Sequence, residues 1–310
     1  MKYQQTIIIH LNIIQASIWG GLARKGLGIL TDYDGAIPYN ALWANFAACL
    51  VLGTVSKVKK TPFIIGVSTG FCGTLSSFSA LVLELFYSSA NVSVGIRYDL
   101  PTKGYGVLQF LSVLLVEMGV SILGYHFGLH LSPMYPLNEQ HHEPLSYIGA
   151  VLGAAMPVIT VVLLAINPLY DSWRAWVFLI LFSPMGALLR FHLGKLNRPK
   201  FPYGTFTANV TGSILIAVFA LLTRARVSKS DHSGLITSYI GCQALSGLQD
   251  GLCGALTTIS TFVSELFSLG PKESYLYSSV SITVSFVLLL LILGPYTWTV
   301  GLSDPICGYS

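Results

Sequence analysis

GFCGTLSSFSALVLEL, residues 70–85, returns later in the chain as GLCGALTTISTFVSEL, residues 251–266, so that Gly70 pairs with Gly251, Gly73 with Gly254, Ser76 with Thr257 and Glu84 with Glu265. Each copy lies in an apolar run, 62–88 and 236–268, that is too long for one simple helical span and carries Gly, Ser and Thr at its middle. Both read as broken helices. Non-helical backbone at membrane depth is tolerated only where it faces protein or a polar cavity, because hydrocarbon cannot satisfy the freed N–H and C=O groups. Two such breaks point to a buried ion path.

The repeat extends outward in the same order. GGLAR ending at Arg24 pairs with GALLR ending at Arg190, and YNALWANFA from Tyr39 pairs with YGTFTANVT from Tyr203, setting Asn45 against Asn209. A looser match follows the breaks: Tyr105 and Tyr275 each stand 19 residues before a glycine, Gly124 and Gly294.

Composition fixes the solvent. The chain has 310 residues, 53% hydrophobic and only 10% charged, with a mean hydropathy of +0.67, against roughly 25% charged residues in a soluble domain. A formal charge of +4 is too small and scattered for a nucleic-acid footprint, so nucleic acid is excluded as a partner. The five cysteines show no CxxC and no zinc-like spacing with histidine, and they are expected to be buried thiols. His126 and His130 lack a third ligand nearby, and the His141–Glu143 segment is expected in a solvated loop. Asn91 opens a glycosylation sequon in a loop; the one at Asn209 falls within a span.

A membrane helix needs about 20 mainly apolar residues. Nine runs qualify: 7–24, 39–56, 62–88, 105–128, 145–167, 173–194, 203–223, 236–268 and 275–303. Four belong to each repeat and 145–167 lies between them. Four spans return a chain to its starting side and one more carries it across, so the second repeat is expected upside down relative to the first, with ion sites near the midplane where the halves meet. The predicted fold is therefore an all-α polytopic membrane protein. It comprises a first four-helix repeat (1–128), a linker (129–172) holding one transmembrane helix, and a second, inverted four-helix repeat (173–310). Loop Lys and Arg, nine on one side and eight on the other, give no orientation. Gly149 and Gly153 in the linker span have GxxxG spacing, which serves either close helix packing or a plain lipid-facing helix.

These residues resemble the Fluc/CrcB fluoride channels, and the two-repeat layout with a linker resembles their fused eukaryotic form, the FEX fluoride exporters. GLCGALTTISTF with Glu265 following is close to the family pattern GFCGGxTTFSTF, and GxxxR and the segment around each Asn add to it. The resemblance implies a pseudo-dimer working as a single chain in the plasma membrane, with fluoride, sodium and lipid as its partners. It also implies a structural central Na+ held by the backbone carbonyls of Gly73, Ser76, Gly254 and Thr257. Carbonyls freed at a helix break suit a hard cation without a carboxylate that would repel fluoride; the same small residues also let two helices cross closely.

The family's phenylalanine pair is spaced FxxF, whereas here one copy reads Phe78 then Leu81 and the other Ile259 then Phe262. In the family each pore takes one phenylalanine from each half. The resemblance thus implies one complete aromatic pair, Phe78 with Phe262, and one degenerate path lined by Leu81 and Ile259. It further implies an anion role for Asn45 and Asn209, a polar track of Tyr275, Ser279 and Thr283, and a vestibule role for Arg24 and Arg190. By the residues alone the Asn amides could equally bond across helices, the arginines could snorkel to the interface, and Phe78 and Phe262 are ordinary packing aromatics.

The function so implied is passive fluoride export, giving fluoride resistance. No nucleophile–base set or phosphate loop appears, so an enzyme is not expected. A secondary transporter of a small anion is the alternative that inverted repeats and broken helices leave open.

Overall fold

The computed structural model describes residues 2–31, 41–92, 104–134, 142–166, 173–228, 231–236 and 238–303. Eleven helices follow in order among them: α1 (Lys2–Leu30), α2 (Leu42–Val55), α3 (62–75), α4 (Phe78–Ser89), α5 (Tyr105–Leu131), α6 (His142–Ile166), α7 (Arg174–Leu193), α8 (Tyr203–Arg224), α9 (239–256), α10 (Ser260–Ser268) and α11 (Pro271–Thr299). A small hairpin, β1 (Arg226–Ser228) with β2 (Asp231–Gly234), follows α8, and with an isolated bridge between Arg198 and Phe201 it makes up the β structure among the described residues. Length and hydropathy alone mark seven membrane-crossing helices among the described residues. Two of the runs expected as spans are not marked: α2 has only 14 described residues, and the run containing α9 and α10 is diluted by Gln243, Gln249, Asp250 and its central hydroxyl residues. The chain is a helical, multi-pass membrane protein.

α3 and α9 share one irregular design. Each contains a π-helical stretch, Gly66–Cys72 and Leu248–Cys253, followed by a short α turn, Gly73–Leu75 and Gly254–Leu256. Such widened turns concentrate at functional positions. The helix then stops: Ser76 takes φ −86° and ψ 151°, and Thr257 takes φ −91° and ψ 159°. Both are extended conformations, and α4 and α10 start afresh within three residues. The first break is capped locally, since Ser77 Oγ accepts the Ala80 N–H at 3.2 Å.

α4 and α10 stand at the centre. α4 packs on α5, α8 and α11, while α10 packs on α2, α5 and α11. α5 runs along α2, and α11 runs along α8. α1 lies against α3, α6 and α7, and α7 covers α9. The buried cluster between these layers holds Phe78, Leu81, Val82, Phe86, Ile259, Phe262 and Tyr277. Outward faces stay apolar, with Leu115 70%, Leu291 65% and Trp298 68% exposed, which suits a hydrocarbon surround.

Among the described residues α6 packs chiefly on α1, α3 and α7. A Cβ at Gly153 would run into the Leu11 carbonyl and one at Gly149 into Asn12 Oδ1, so the two glycines serve close packing on α1 instead of facing lipid. Asn12 Nδ2 donates across this seam to the Ser146 carbonyl at 2.8 Å.

Two expectations change. His142 is not in a solvated loop; it opens α6 and is 2% exposed, with its ring 6.2 Å from that of Phe63. Cys49, Cys72 and Cys253 are buried thiols, but Cys242 is disulfide-bonded, which no spacing rule foreshadowed. Tyr39, His141 and Cys307 lie outside the described residues.

Candidate functional site

The breaks meet back to back in a buried cluster of hydroxyls. Ser76 Oγ accepts the backbone N–H groups of Ile259 at 3.2 Å and Ser260 at 3.0 Å, while Thr257 Oγ1 accepts the Ser79 N–H at 3.1 Å. Each break therefore supplies the missing acceptor for the first turn of the other half's following helix. Ser260 Oγ donates to the Cys72 carbonyl at 3.1 Å and completes the crossing.

Asn45 and Asn209 explain why the helices stop. Asn45 Oδ1 accepts the Ser77 N–H at 2.9 Å, and Asn209 Oδ1 accepts the Thr258 N–H at 2.9 Å. These are the N–H groups that an unbroken helix would close, four residues back, on the carbonyls of Gly73 and Gly254. Diverting them releases those two carbonyls from the ladder. The amide groups of the same side chains are used as well: Asn45 Nδ2 donates to Glu117 Oε2 at 3.0 Å, and Asn209 Nδ2 to the Thr258 carbonyl at 3.3 Å.

Arg24 and Arg190, expected at an anion vestibule, turn their guanidinium groups onto the breaks. Arg24 donates to the carbonyls of Thr74 and Asp250. Arg190, 5% exposed, donates through Nε to the Ala255 carbonyl at 2.9 Å and through Nη2 to the Thr69 carbonyl at 2.8 Å. Each guanidinium lies on the glycine of the other half: a Cβ at Gly73 would collide with Arg190, and one at Gly254 with Arg24. Both arginines are thus bound into the breaks, crossing from one half to the other. Lys25 adds a more exposed link to Asp250 at 3.1 Å.

Gly73, Ser76, Gly254 and Thr257, the residues expected to hold Na+, lie around this junction. Their donor set suits a hard cation: two carbonyls released by Asn45 and Asn209, neutral hydroxyls, and no carboxylate among them. Two guanidinium groups lie close by and oppose any further positive charge, so the oxygen ligands of a cation there would have to offset that repulsion as well as dehydration.

The aromatic pair is brought together. Phe78 and Phe262, both fully buried, meet edge to face with centroids 5.3 Å apart at 66°. Tyr277 extends the row, 5.0 Å from Phe262. Its hydroxyl donates to Glu265 Oε2 at 2.8 Å, and Thr205 Oγ1 and Asn197 Nδ2 reach Glu265 Oε1 at 2.6 and 2.9 Å. Glu265 is held in place by these three donors. Leu81 and Ile259 are fully buried in the same cluster.

Beyond Tyr277, the buried face of α11 carries Ser281 and Ser285, both 0% exposed, with Oγ atoms that have no hydrogen-bond partner. Tyr275 is 76% exposed, and Ser279 and Thr283 lie on the same outward face. The structure does not bring these three to the site. Matching the repeats through Tyr105 and Tyr275 shifts the reading of α11 by two residues, about 200° around a helix, and that turns the inner face outward. Tyr277, Ser281 and Ser285 repeat at i, i+4, i+8, and this spacing was the signal available in the sequence.

The corresponding buried face of α5 carries Val113, Glu117 and Ser121. Glu117 was legible as the one acid in LSVLLVEMGVSIL, and an ionisable residue within a span is by default a functional candidate.

Comparison with known proteins supplies the family. The chain is 42% identical to Fluoride export protein 1 of Candida albicans over 97% of this chain and 83% of that protein. It is 30% identical to Fluoride export protein 1 of Saccharomyces cerevisiae over 99% and 97%. A bacterial relative, the fluoride-specific ion channel FluC of Geotalea daltonii, is 30% identical and spans 39% of this chain but 90% of its own length. No solved structure matches. The family described as CrcB-like protein, Camphor Resistance (CrcB), matches twice, at residues 11–125 and 177–295, and the chain belongs to it.

Proposed function

We propose that this chain is a fluoride-selective channel that exports fluoride from the cytoplasm passively and so confers fluoride resistance. The observation that carries this reading is the row of Phe78, Phe262, Tyr277, Ser281 and Ser285, which sets aromatic edges beside two buried hydroxyls with no internal partner. A small, strongly hydrated anion needs donors in place of water, and a phenyl ring offers its positive edge to an anion without binding it tightly. The names of the relatives point to the same ion.

In this reading the path lies between α4, α8, α10 and α11, and a cell-negative potential drives anions outward with about 2.3 kcal/mol per charge per 100 mV. The chain's own groups orient the ion and replace its water, and no step requires proton transfer or ATP. The protein is placed in the plasma membrane with nine spans, residues 1–128 and 173–310 forming inverted repeats and 129–172 linking them, and it works as a single chain. The reciprocal contacts support a pseudo-two-fold relation between the repeats, Arg24 on Gly254 and Arg190 on Gly73, Ser76 on Ser260 and Thr257 on Ser79, and the odd linker span supplies the inversion in this reading. The carbonyls of Gly73, Ser76, Gly254 and Thr257 would hold a central Na+ that pins the two breaks together.

The test is fluoride-electrode efflux from liposomes holding the purified chain, in sodium and in sodium-free buffer. Fluoride release well above that of empty liposomes, with chloride retained, supports the reading. Release no faster than from empty liposomes overturns it.

A further inference from the structure

The second path, between α2, α4, α5 and α10, differs from the first in more than its missing aromatics. Its α5 face presents Glu117, 1% exposed, whereas the buried face of α11 beyond Tyr277 carries Ser281 and Ser285 and then leucines, with no acid among them. Glu117 Oε2 accepts from Asn45 Nδ2 at 3.0 Å. Its second oxygen, Oε1, has no hydrogen-bond partner. On the other side of the molecule, Asn209 Nδ2 meets only a neutral carbonyl, at 3.3 Å.

We propose that Glu117 is a tethered anion that seals the second path against fluoride, by occupying the Asn45 amide donor and setting a carboxylate in the row where a permeating anion would lie. The inference rests on the channel reading above. The side chain occupies the Asn45 donor whether or not it carries a proton, and when ionised it also repels an approaching anion. Loss of the aromatic pair at Leu81 and Ile259 removes favourable contacts from this path; the carboxylate adds a specific obstacle. The acid beside the first path, Glu265, has both oxygens taken by three donors, whereas Glu117 keeps Oε1 unpaired in a buried site, an arrangement that packing alone does not call for, given the cost of burying charge.

The experiment moves the seal. Wild-type efflux is measured first; failure of the wild type to release fluoride overturns the channel reading and is distinguishable from failure of the seal. Ser285→Glu then puts a carboxylate into the row of the first path, beside Ser285→Gln as a control of equal size without charge. At equal incorporation, Ser285→Glu is expected to release fluoride at least tenfold more slowly than Ser285→Gln. Equal rates for the two overturn the proposal. The reciprocal arm carries the aromatic pair across, in Leu81→Phe/Ile259→Phe/Phe262→Leu, with Glu117 retained, changed to Asp or changed to Ser. Efflux is expected only from the Ser variant. Equal efflux with Glu117 in place, or a folded Ser variant that stays silent, overturns the proposal. Where the added rings prevent folding, the Ser285 pair decides alone.

Discussion

Ser76 serves the opposite half of the molecule: its Oγ accepts the backbone N–H of Ser260 at 3.0 Å, although the two residues are separated by 184 positions in the chain. Thr257 returns the favour to Ser79 at 3.1 Å. A helix beginning inside a membrane has unsatisfied N–H groups and no water to take them. Here each break solves the problem of the other, so the two halves are held at their middles by hydrogen bonds that neither could make alone.

Removing one hydroxyl should therefore cost more than a surface hydrogen bond. Ser76→Ala leaves two buried N–H groups and Thr257→Val leaves one, and each is expected to destabilise the chain by about 1–3 kcal/mol. Thr257→Ser keeps the oxygen and should sit close to wild type. Thermal unfolding in detergent, followed by size-exclusion chromatography, reads the difference. An unfolding temperature for Ser76→Ala equal to that of wild type would show that the exchange contributes nothing.

Arg190 reaches two carbonyls, those of Ala255 and Thr69, and a lysine cannot span both because its ammonium is a single point of charge. Arg190→Lys and Arg190→Gln are expected to lower the yield of folded protein alike, by severalfold. If the arginine acted mainly by attracting anions, lysine would keep most of the export and glutamine would lose it.

The repeat and both breaks were legible in the sequence, because Gly73, Ser76, Gly254 and Thr257 recur in register and break a long apolar run. The Phe78–Phe262 pairing was also legible, though only through the family resemblance. The face of α11 was not. Tyr275 and Gly294 offered an anchor that turned the wrong face inward, and the i, i+4, i+8 spacing of Tyr277, Ser281 and Ser285 that marks the inner face is a faint signal in an almost uniformly apolar helix. The roles of Arg24 and Arg190 were hidden for another reason. Their partners are backbone carbonyls, one in each half for either arginine, and carbonyls carry no signature in the chain.

The two aromatic sets should respond unequally. Phe78→Ile and Phe262→Leu each dismantle the edge contact at 5.3 Å and are expected to cut fluoride efflux at least tenfold and make cells fluoride-sensitive. Leu81→Ala and Ile259→Ala are expected to leave efflux within about twofold of wild type, per folded molecule. All four side chains are fully buried, and truncation to Ala costs about 2–5 kcal/mol in cavity formation, so rates must be divided by the folded protein incorporated. Equal loss from both sets would mean that both paths conduct.

The inner face of α11 offers the sharpest test of where the ion runs. Ser281 and Ser285 are fully buried with unpartnered hydroxyls, whereas Ser279 and Thr283 face outward on the same helix. Ser281→Ala and Ser285→Ala remove a donor from the path but little packing volume, so folding should be preserved or slightly improved, since an unsatisfied buried hydroxyl is itself costly. Efflux should nevertheless fall, about fivefold or more for each and further for the pair, because the dehydrated ion loses a donor it cannot replace. Ser279→Ala and Thr283→Val make the outward face more apolar and should leave efflux unchanged. The comparison is internal to one helix and uses small changes on both faces, so a general loss of stability cannot imitate it. Slower efflux from the outward pair with no effect of the inward pair would return the path to the opposite face and undo the placement of Tyr277, Ser281 and Ser285.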